Sequence, residues 1–242
     1  MCSRYFLDAD GNIIAYTFRV PVHVGIRKRF NIAPTQEAPV VRVARGREAP
    51  SGDQTAGERE IAMLRWGLVP FWAKDLKAGT NMINARGEGI EAKPAFRDAV
   101  KQRRCVVPAT GFFEWQGEPG RKQPFAVTLP DHALLAFAGL WERWKPADGE
   151  PVETFTIVTT DANEQVARIH DRMPVILPMD AIDTWLTAPP DEALKLLKPY
   201  AGAVNLRAVG KHVSNVRNEG PECLDDPEPQ APSPQGSQGR LL

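Results

Sequence analysis

The chain is divided into many short β-like segments, and this pattern constrains its fold more than any other feature. These runs are rich in β-branched and aromatic residues: Val40–Val43, Ile61–Trp66, Cys105–Pro108, Gly111–Trp115, Phe125–Leu129, Leu134–Trp141 and Phe155–Thr159. Fewer segments have a helical pattern: Lys93–Gln102, Asn163–Ile169, Asp180–Leu186 and Asp191–Leu197. Residues 12–24 fit either periodicity. Because strands and helices do not alternate regularly, the sequence predicts an α+β fold.

Length and composition are those of a soluble globular protein. The chain has 242 residues, of which 43% are hydrophobic and 25% are charged. It contains no apolar run long enough to span a membrane and no secretory signal, so we expect a cytoplasmic protein without membrane contact. Residues 225–242 are rich in Pro, Gln, Ser and Gly and are expected to form a disordered tail; residues 46–58 are expected to form a surface loop.

The charge balance does not by itself predict a nucleic-acid partner. Lys and Arg number 30, as do Asp and Glu. Local basic runs such as Arg27–Arg29, Lys101–Arg104 and Arg121–Lys122 contrast with an acidic group at residues 219–228. This distribution leaves the folded part more positive than the total, which is compatible either with an anionic partner or with ordinary solvated faces.

The cysteines are Cys2, Cys105 and Cys223, and they show no C-x-x-C spacing, so no structural zinc site is predicted. Their odd number fits a reducing compartment. Cys105 is predicted to be a buried strand residue, and Cys223 is interpreted as incidental.

Cys2 is the candidate nucleophile. Removal of Met1 would leave a free α-amine, with a reference pKa of about 8, next to a thiol with a pKa of about 8.5. Such a 1,2-aminothiol can act as an N-terminal nucleophile, or it can condense with an aldehyde to close a thiazolidine ring. The alternative is that Cys2 lies in a frayed terminus without a function.

Three polar residues stand out within apolar flanks. Asn84 in Met82–Arg86 offers an amide to an ammonium group or an oxygen, although Asn is also common in turns. Glu114 lies between aromatic residues and is either a solvent-facing strand residue or a buried acid with a raised pKa. His170 follows a predicted helix and is either a proton carrier or a helix cap.

A further cluster, Trp66–Lys74, combines aromatic side chains with glycine, proline and lysine. These aromatic residues either belong to the core or form a wedge that stacks on unpaired bases. The sequence lacks the G-x-x-x-x-G-K, G-x-G-x-x-G, H-E-x-x-H and G-x-S-x-G motifs, so the enzyme classes defined by those motifs have no support.

Taken in order along the chain, these clusters resemble the SOS-response-associated peptidase (SRAP) family, whose members include sensors of abasic sites in single-stranded DNA. The matching segments are Met1–Cys2 with Arg4, Arg29–Gln36, Trp66–Pro70 with Trp72, Ile83–Arg86, Val107–Ala109 with Gly111–Trp115, Ile169–Leu177 and Asn215–Cys223.

The resemblance implies one α+β domain over residues 1–224, with curved, barrel-like mixed sheets and peripheral helices around a DNA-binding cleft. It also implies that Cys2 forms a covalent thiazolidine with the ring-opened aldehyde of an abasic site and so shields the site during the DNA damage response. Glu114 would exchange protons with the sugar ring oxygen, Asn84 would hold the Cys2 amine and the sugar, and His170 would steer protons. No cofactor and no metal are implied.

The same resemblance implies a monomer that binds single-stranded DNA, associated with the nucleoid if the source is bacterial. The implied DNA-binding residues are Arg4, Asn31, Trp66, Phe71, Trp72, Arg86 and Thr159. The alternative function is a thiol (auto)peptidase that removes Met1 or cleaves another peptide or amide.

Two positions depart from the family pattern. Ser3 occupies a position that is usually glycine, where a side chain could crowd the sugar. Residues 8–29 lack the helix-like pattern common in relatives, which bears on the local fold more than on the site.

Overall fold

The fold is described by a computed structural model that covers residues 2–23, 25–44 and 58–228. Its strands are β1 (Tyr5–Leu7), β2 (Arg29–Ile32), β3 (Glu37–Val43), β4 (Arg59–Trp66), β5 (Asn84–Arg86), β6 (Arg104–Ala109), β7 (Gly111–Gln116), β8 (Gln123–Thr128), β9 (Leu135–Trp144), β10 (Val152–Asp161), β11 (Arg172–Pro174) and β12 (Asn205–Ala208). Its α-helices are α1 (Gly11–Phe18), α2 (Arg97–Gln102), α3 (Ile182–Thr187) and α4 (Pro190–Leu194). Short 3₁₀ turns cover Leu76–Asn81, Ile90–Ala92, Val166–Arg168, Met179–Ala181, Lys211–Ser214 and Pro221–Leu224.

The first sheet closes into a small barrel. Its strands follow the order β10-β4-β3-β6-β9, and β9 pairs back onto β10 along Val152–Ile157. The β4–β10 pair is parallel, whereas the other pairs of the ring are antiparallel. β5 and β11 extend the sheet by pairing with the end of β10. Closure leaves the ring strands without free edges, which stabilises a barrel of short strands.

The second sheet is antiparallel and places the N-terminal strand in its interior. Its order is β12-β8-β7-β1-β2, so β1 pairs with β7 on one side and with β2 on the other. Tyr5 lies opposite Phe112 in β7 and Ile32 in β2. The residues that immediately precede β1 are therefore held between two strands.

The core lies between the two sheets and contains Tyr5, Trp66, Phe137 and Phe155, none of them with exposed surface. The Tyr5 and Trp66 rings meet edge to face with their centroids 5.2 Å apart. Burying an aromatic side chain of this size contributes about 2–3 kcal/mol. A smaller cluster on the far face of the second sheet joins Phe6 and Phe113 to a group of C-terminal residues, which are Val209, Val213 and Cys223.

The predicted fold class is confirmed: the structure is an α+β domain with mixed sheets, a barrel and short peripheral helices. Every predicted strand is present, several of them longer than expected. The strands of three or four residues (β1, β2, β5, β11 and β12) were missed because they are too short to show a periodicity. The predicted helix Asn163–Ile169 is only a 3₁₀ turn at Val166–Arg168, and α2 begins at Arg97 rather than at Lys93.

The interpretation that residues 8–29 lack a helix-like pattern is wrong, because α1 occupies Gly11–Phe18; the ambiguous residues 12–24 are helical in their first part. The Asp10 carboxylate caps the helix by accepting hydrogen bonds from the amides of Asn12 (2.9 Å) and Ile13 (3.0 Å). Arg19 ends the helix with φ 53°, a left-handed conformation without the usual glycine.

Cys105 is buried in β6 as predicted, whereas Cys223, interpreted as incidental, is completely buried in the smaller cluster. In the predicted surface loop and tail, residues 46–57 and 229–242 lie outside the described residues. Within the described ranges, no helix is long and apolar enough to cross a membrane, and no cluster of His, Cys, Asp and Glu side chains forms a metal site.

The cap of α1 leads to a stability prediction. Replacing Asp10 by Ala removes the acceptor for two amides and should lower the free energy of unfolding by about 1 kcal/mol, whereas Asp10→Asn should retain most of the stability. Urea denaturation of the two variants and the wild type tests this. Equal stability of Asp10→Ala and the wild type would show that the cap does not stabilise the helix.

Candidate functional site

The four predicted catalytic residues are supplied by both sheets. Cys2 lies just before β1, and Glu114 lies in the adjacent strand β7. Asn84 begins β5, which pairs in parallel with β10, and His170 lies just before β11, which pairs with the same strand. The site is therefore built where the N-terminal strand of the second sheet meets the barrel.

Asn84 contacts the candidate nucleophile directly. Its Nδ2 donates a hydrogen bond of 2.7 Å to the carbonyl oxygen of Cys2. Its Oδ1 is inaccessible to solvent and has no hydrogen-bond partner among the described residues. Because a buried acceptor without a partner is costly, this oxygen is suited to receive a donor from an amine or a sugar.

Glu114 is almost completely buried, with 3% of its surface exposed. The alternation of β7 explains this: Phe113 faces the smaller cluster, so Phe112 and Glu114 face the opposite side. Burial raises the pKa of Glu114 to about 7. The carboxyl group is therefore close to half protonated at neutral pH and can both donate and accept a proton.

The Cys2 thiol is neutral at physiological pH. Burial raises its pKa well above the usual value, and the nearby charge of Glu114 raises it further. Its Sγ donates a weak hydrogen bond of 3.7 Å to the carbonyl of Arg4. The thiol consequently needs a base before it can act as a nucleophile.

His170 is held by its own loop. Its Nδ1 accepts a hydrogen bond of 3.0 Å from the amide of Arg172, and burial lowers the pKa of the imidazole. The Asp171 carboxylate lies 2.9 Å from the same nitrogen and raises the pKa of His170. Because this carboxylate is exposed, the net shift of the His170 pKa stays downward. The neutral imidazole is thereby favoured at neutral pH. Gln116 of β7 donates to the carbonyl of Arg168 (2.7 Å), which ties the strand of Glu114 to this loop.

Sequence reasoning missed two residues that act on this site. Arg172 forms a bidentate pair with Glu88 (both contacts 2.8 Å) and donates to the Thr159 carbonyl (2.9 Å), so it fixes the His170 loop to β10. Burial raises the pKa of Glu114 and lowers the pKa of His170, and the positive charge of the exposed Lys122 adds a smaller downward effect on both pKa values. The signals were present in the His170–Pro174 motif and in the basic pair Arg121–Lys122.

The aromatic cluster is divided between the core and the surface. Trp66 is completely buried, and its Nε1 donates to the carbonyl of Ile83 (2.8 Å), so it packs in the core. Phe71 and Trp72 are 59% and 55% exposed. They are therefore the members of the cluster that can offer an aromatic face to a ligand.

Two of the predicted DNA-binding residues form an internal network. Asn31 is completely buried, and Arg4 is 8% exposed. Arg4 Nη1 donates to Asn31 Oδ1 (2.7 Å) and to the carbonyl of Val213 (2.8 Å). The polar groups of Asn31 are thus used within the protein, and its predicted DNA contact stays a prediction.

The remaining two predicted DNA-binding residues lie opposite each other in the β5–β10 pair. Arg86 is exposed, and Thr159 is completely buried, with its Oγ1 3.5 Å from the carbonyl of Ala85. Of the two, Arg86 is the one positioned to meet a phosphate, and its predicted DNA contact stays a prediction.

Comparison with known proteins gives matches along most of the chain. The sequence profile described as "SOS response associated peptidase (SRAP)" matches residues 1–216. The chain is 40% identical over 233 residues to the abasic site processing protein YoaM of Bacillus subtilis, covering 93% of this chain and 98% of YoaM. It is 36% identical over 225 residues to the abasic site processing protein HMCES of Gallus gallus, covering 82% of this chain and 66% of that protein.

Two crystal structures share the fold. A protein from Bacteroides thetaiotaomicron superimposes with a TM-score of 0.79 at 27% identity, over 93% of this chain and 99% of that one. A protein from Bordetella bronchiseptica superimposes with a TM-score of 0.73 at 30% identity, over 86% of this chain and 100% of that one.

The raised pKa of Glu114 leads to a pH-dependent stability prediction. The folded state holds this proton up to about pH 7, whereas the unfolded chain releases it near pH 4.5, so stability should fall as pH rises between these values. The loss attributable to Glu114 should be on the order of 2–3 kcal/mol. Urea denaturation of wild type and Glu114→Gln at pH 5 and pH 8 should show a smaller decline for the variant. Parallel declines would contradict burial of this carboxyl group.

Proposed function

Because the chain belongs to the SOS response associated peptidase (SRAP) family, we propose that it processes abasic sites in DNA by forming a covalent thiazolidine between Cys2 and the sugar aldehyde of a single-stranded site. The observation that supports this most is the convergence of Cys2, Asn84 and Glu114, with a carboxyl pKa of about 7 beside an N-terminal aminothiol. The curated relatives YoaM and HMCES carry the name abasic site processing protein.

The first step is the opening of the sugar, which exists mostly as a closed hemiacetal. A proton must reach the ring oxygen while the anomeric hydroxyl loses one. A carboxyl group with a pKa of about 7 is suited to this exchange, because both of its protonation states are populated at neutral pH. Glu114 is the residue that supplies this group.

The second step uses the α-amine of Cys2 after removal of Met1. The neutral amine attacks the aldehyde carbon, and the resulting carbinolamine loses water to give an iminium ion. The unpaired Oδ1 of Asn84 is available to hold the amine, while its Nδ2 fixes the Cys2 carbonyl. The amine acts before the thiol because burial raises the thiol pKa well above the usual value.

The third step closes the ring. The Sγ of Cys2 forms a bond with the iminium carbon, the π electrons of the C=N bond return to nitrogen, and the thiol proton passes to a base. Glu114, after giving up its proton, is near enough to influence the thiol electrostatically and can serve as that base. The overall change joins one aldehyde and one aminothiol with the release of one water.

The remaining proposed roles belong to His170 and to three exposed residues, Phe71, Trp72 and Arg86. The mostly neutral imidazole of His170 can relay protons on the sugar hydroxyls. Arg86 and the exposed pair Phe71 and Trp72 are assigned to the flanking DNA, as phosphate contact and as stacking surface.

The crosslinking proposal is tested with a single-stranded oligonucleotide that carries one abasic site. Wild-type protein, shown by mass to lack Met1, should give a band that survives denaturing electrophoresis. Cys2→Ala should abolish the band, and Glu114→Gln should slow its formation about 100-fold. Cys105→Ala is the matched control, because Cys105 is equally buried but lies in β6, and it should crosslink like the wild type.

A normal crosslink by Cys2→Ala would remove Cys2 from the mechanism. If the wild type binds DNA without a covalent product but hydrolyses peptides with repeated turnover that requires Cys2, the thiol peptidase function replaces the proposed one.

The stacking assignment has a separate test. Trp72→Ala should weaken binding of undamaged single-stranded DNA by about 5–150-fold, since stacking on an aromatic side chain contributes about 1–3 kcal/mol per base. Tyr16→Ala is the control, because Tyr16 is an aromatic residue of α1 with 89% of its surface exposed. Fluorescence anisotropy measures both variants. Equal weakening by the two substitutions would contradict a specific role for Trp72.

A further inference from the structure

The C-terminal segment Lys211–Leu224 is joined to the N-terminal strand by a network of hydrogen bonds. At its centre is Asn31 of β2, which is completely buried. Its Nδ2 lies within hydrogen-bond distance of three carbonyl oxygens, those of Val213 (3.3 Å), Asn215 (3.0 Å) and Asn218 (2.8 Å). The buried side-chain amide of Asn31 thus binds several backbone carbonyls at and after the first C-terminal 3₁₀ turn.

Glu219 fastens the same turn to β2. One carboxylate oxygen accepts hydrogen bonds from the amides of Phe30 and Asn31, and the other accepts from Arg29 Nε at 2.9 Å. The side chain is 43% exposed, so the ion pair alone would contribute little. The hydrogen bonds from the backbone amides of Phe30 and Asn31 are the stronger attachment, because they fix the turn to strand β2 itself rather than to a side chain.

The network reaches Cys2 through Arg4. The Arg4 guanidinium donates to both Asn31 Oδ1 and the Val213 carbonyl, so it is held by β2 and by the C-terminal segment. The backbone carbonyl of Arg4 accepts from the amide of Phe113 (2.9 Å) and from the Cys2 thiol (3.7 Å). Anchoring the Arg4 side chain therefore anchors the backbone that orients the nucleophile.

The same segment also supports the strand that carries Glu114. Phe113 packs with Val213 and Cys223 on the face of β7 opposite Glu114. Trp115 Nε1 donates to Ser214 Oγ at 3.2 Å, and the Arg4 guanidinium lies 5.6 Å from the Trp115 ring. The Lys211–Leu224 segment thus contacts both the residues next to Cys2 and the residues next to Glu114.

We propose that Glu219 and Asn31 are positioning residues, which hold Cys2 and Glu114 in register through the Lys211–Leu224 segment without contacting the DNA. This inference rests on the proposed function and adds a C-terminal determinant of its covalent step. Reactions of this kind depend steeply on the relative placement of the reacting groups, and a misplacement of about 1 Å can cost about 100-fold in rate.

The test compares Glu219→Ala and Glu219→Gln with the wild type, using the full-length protein. At saturating single-stranded DNA with one abasic site, Glu219→Ala should slow crosslinking at least about tenfold while the Kd for undamaged DNA changes less than about twofold. Glu219→Gln should recover part of the rate, because its amide oxygen can still accept from the Phe30 and Asn31 amides. Asp226→Ala is the matched control, since its carboxylate pairs with Arg207, which binds the Leu224 carbonyl at the end of the segment, and not with Arg29, Asn31 or Arg4.

A second readout separates positioning from unfolding and does not require DNA. Iodoacetamide should label Cys2 faster in Glu219→Ala than in the wild type, as located by peptide mass mapping, while Cys105 in the barrel stays protected. The substitution should therefore slow crosslinking but speed alkylation of the same residue.

Each outcome decides the proposal. Crosslinking at the wild-type rate, a rate loss that only follows a weaker Kd, or labelling of Cys105 in parallel with Cys2 would overturn it. If the wild type itself forms no crosslink, the proposed function fails, and the alkylation pattern alone decides whether Glu219 positions Cys2.

Discussion

The structure depends on holding a chain terminus in place. Terminal residues usually fray, because few contacts offset the entropy of ordering them. Here the candidate nucleophile is the second residue, and it is completely buried. β1 is only three residues long, but it lies between β7 and β2, and the Arg4 carbonyl accepts from the Phe113 amide just before it. Hydrogen bonds to the neighbouring strands β7 and β2 therefore order the residues that follow Cys2.

That placement determines the electrostatics of the site. A carboxyl group and a thiol that share a buried space each favour the neutral form, because the low-dielectric surroundings disfavour charge and the two anions would repel each other. The same burial that makes Glu114 a proton donor near neutral pH also makes the Cys2 thiol a poor first nucleophile. The amine is consequently the group that can act first, and the order of the proposed chemistry follows from burial rather than from the intrinsic reactivity of sulfur.

The sequence was sufficient to predict the fold class and the longer strands, since these depend on local patterns and on the ordered motifs that carry the family resemblance. The roles of the site residues stay predictions. The sequence was not sufficient to distinguish a buried Trp66 from an exposed Trp72, because both lie in one aromatic run and only the tertiary packing separates them. The internal role of Asn31 was also hidden, because the carbonyl groups that accept from its Nδ2 lie more than 180 residues away along the chain. The helix α1 was missed because its apolar residues fit either periodicity, although Asp10 was a readable cap.

The division of the site between two sheets explains why long-range contacts matter to it. The second sheet contributes Cys2 and Glu114, and the barrel contributes Asn84 and His170 through short strands that pair with the end of β10. The sheets are joined close to the site, where Thr110 links β6 directly to β7, donates its amide to the Phe6 carbonyl (2.8 Å) and accepts at Oγ1 from the Asp8 amide (2.9 Å). No single element carries the whole site, so its geometry is a property of the completed fold.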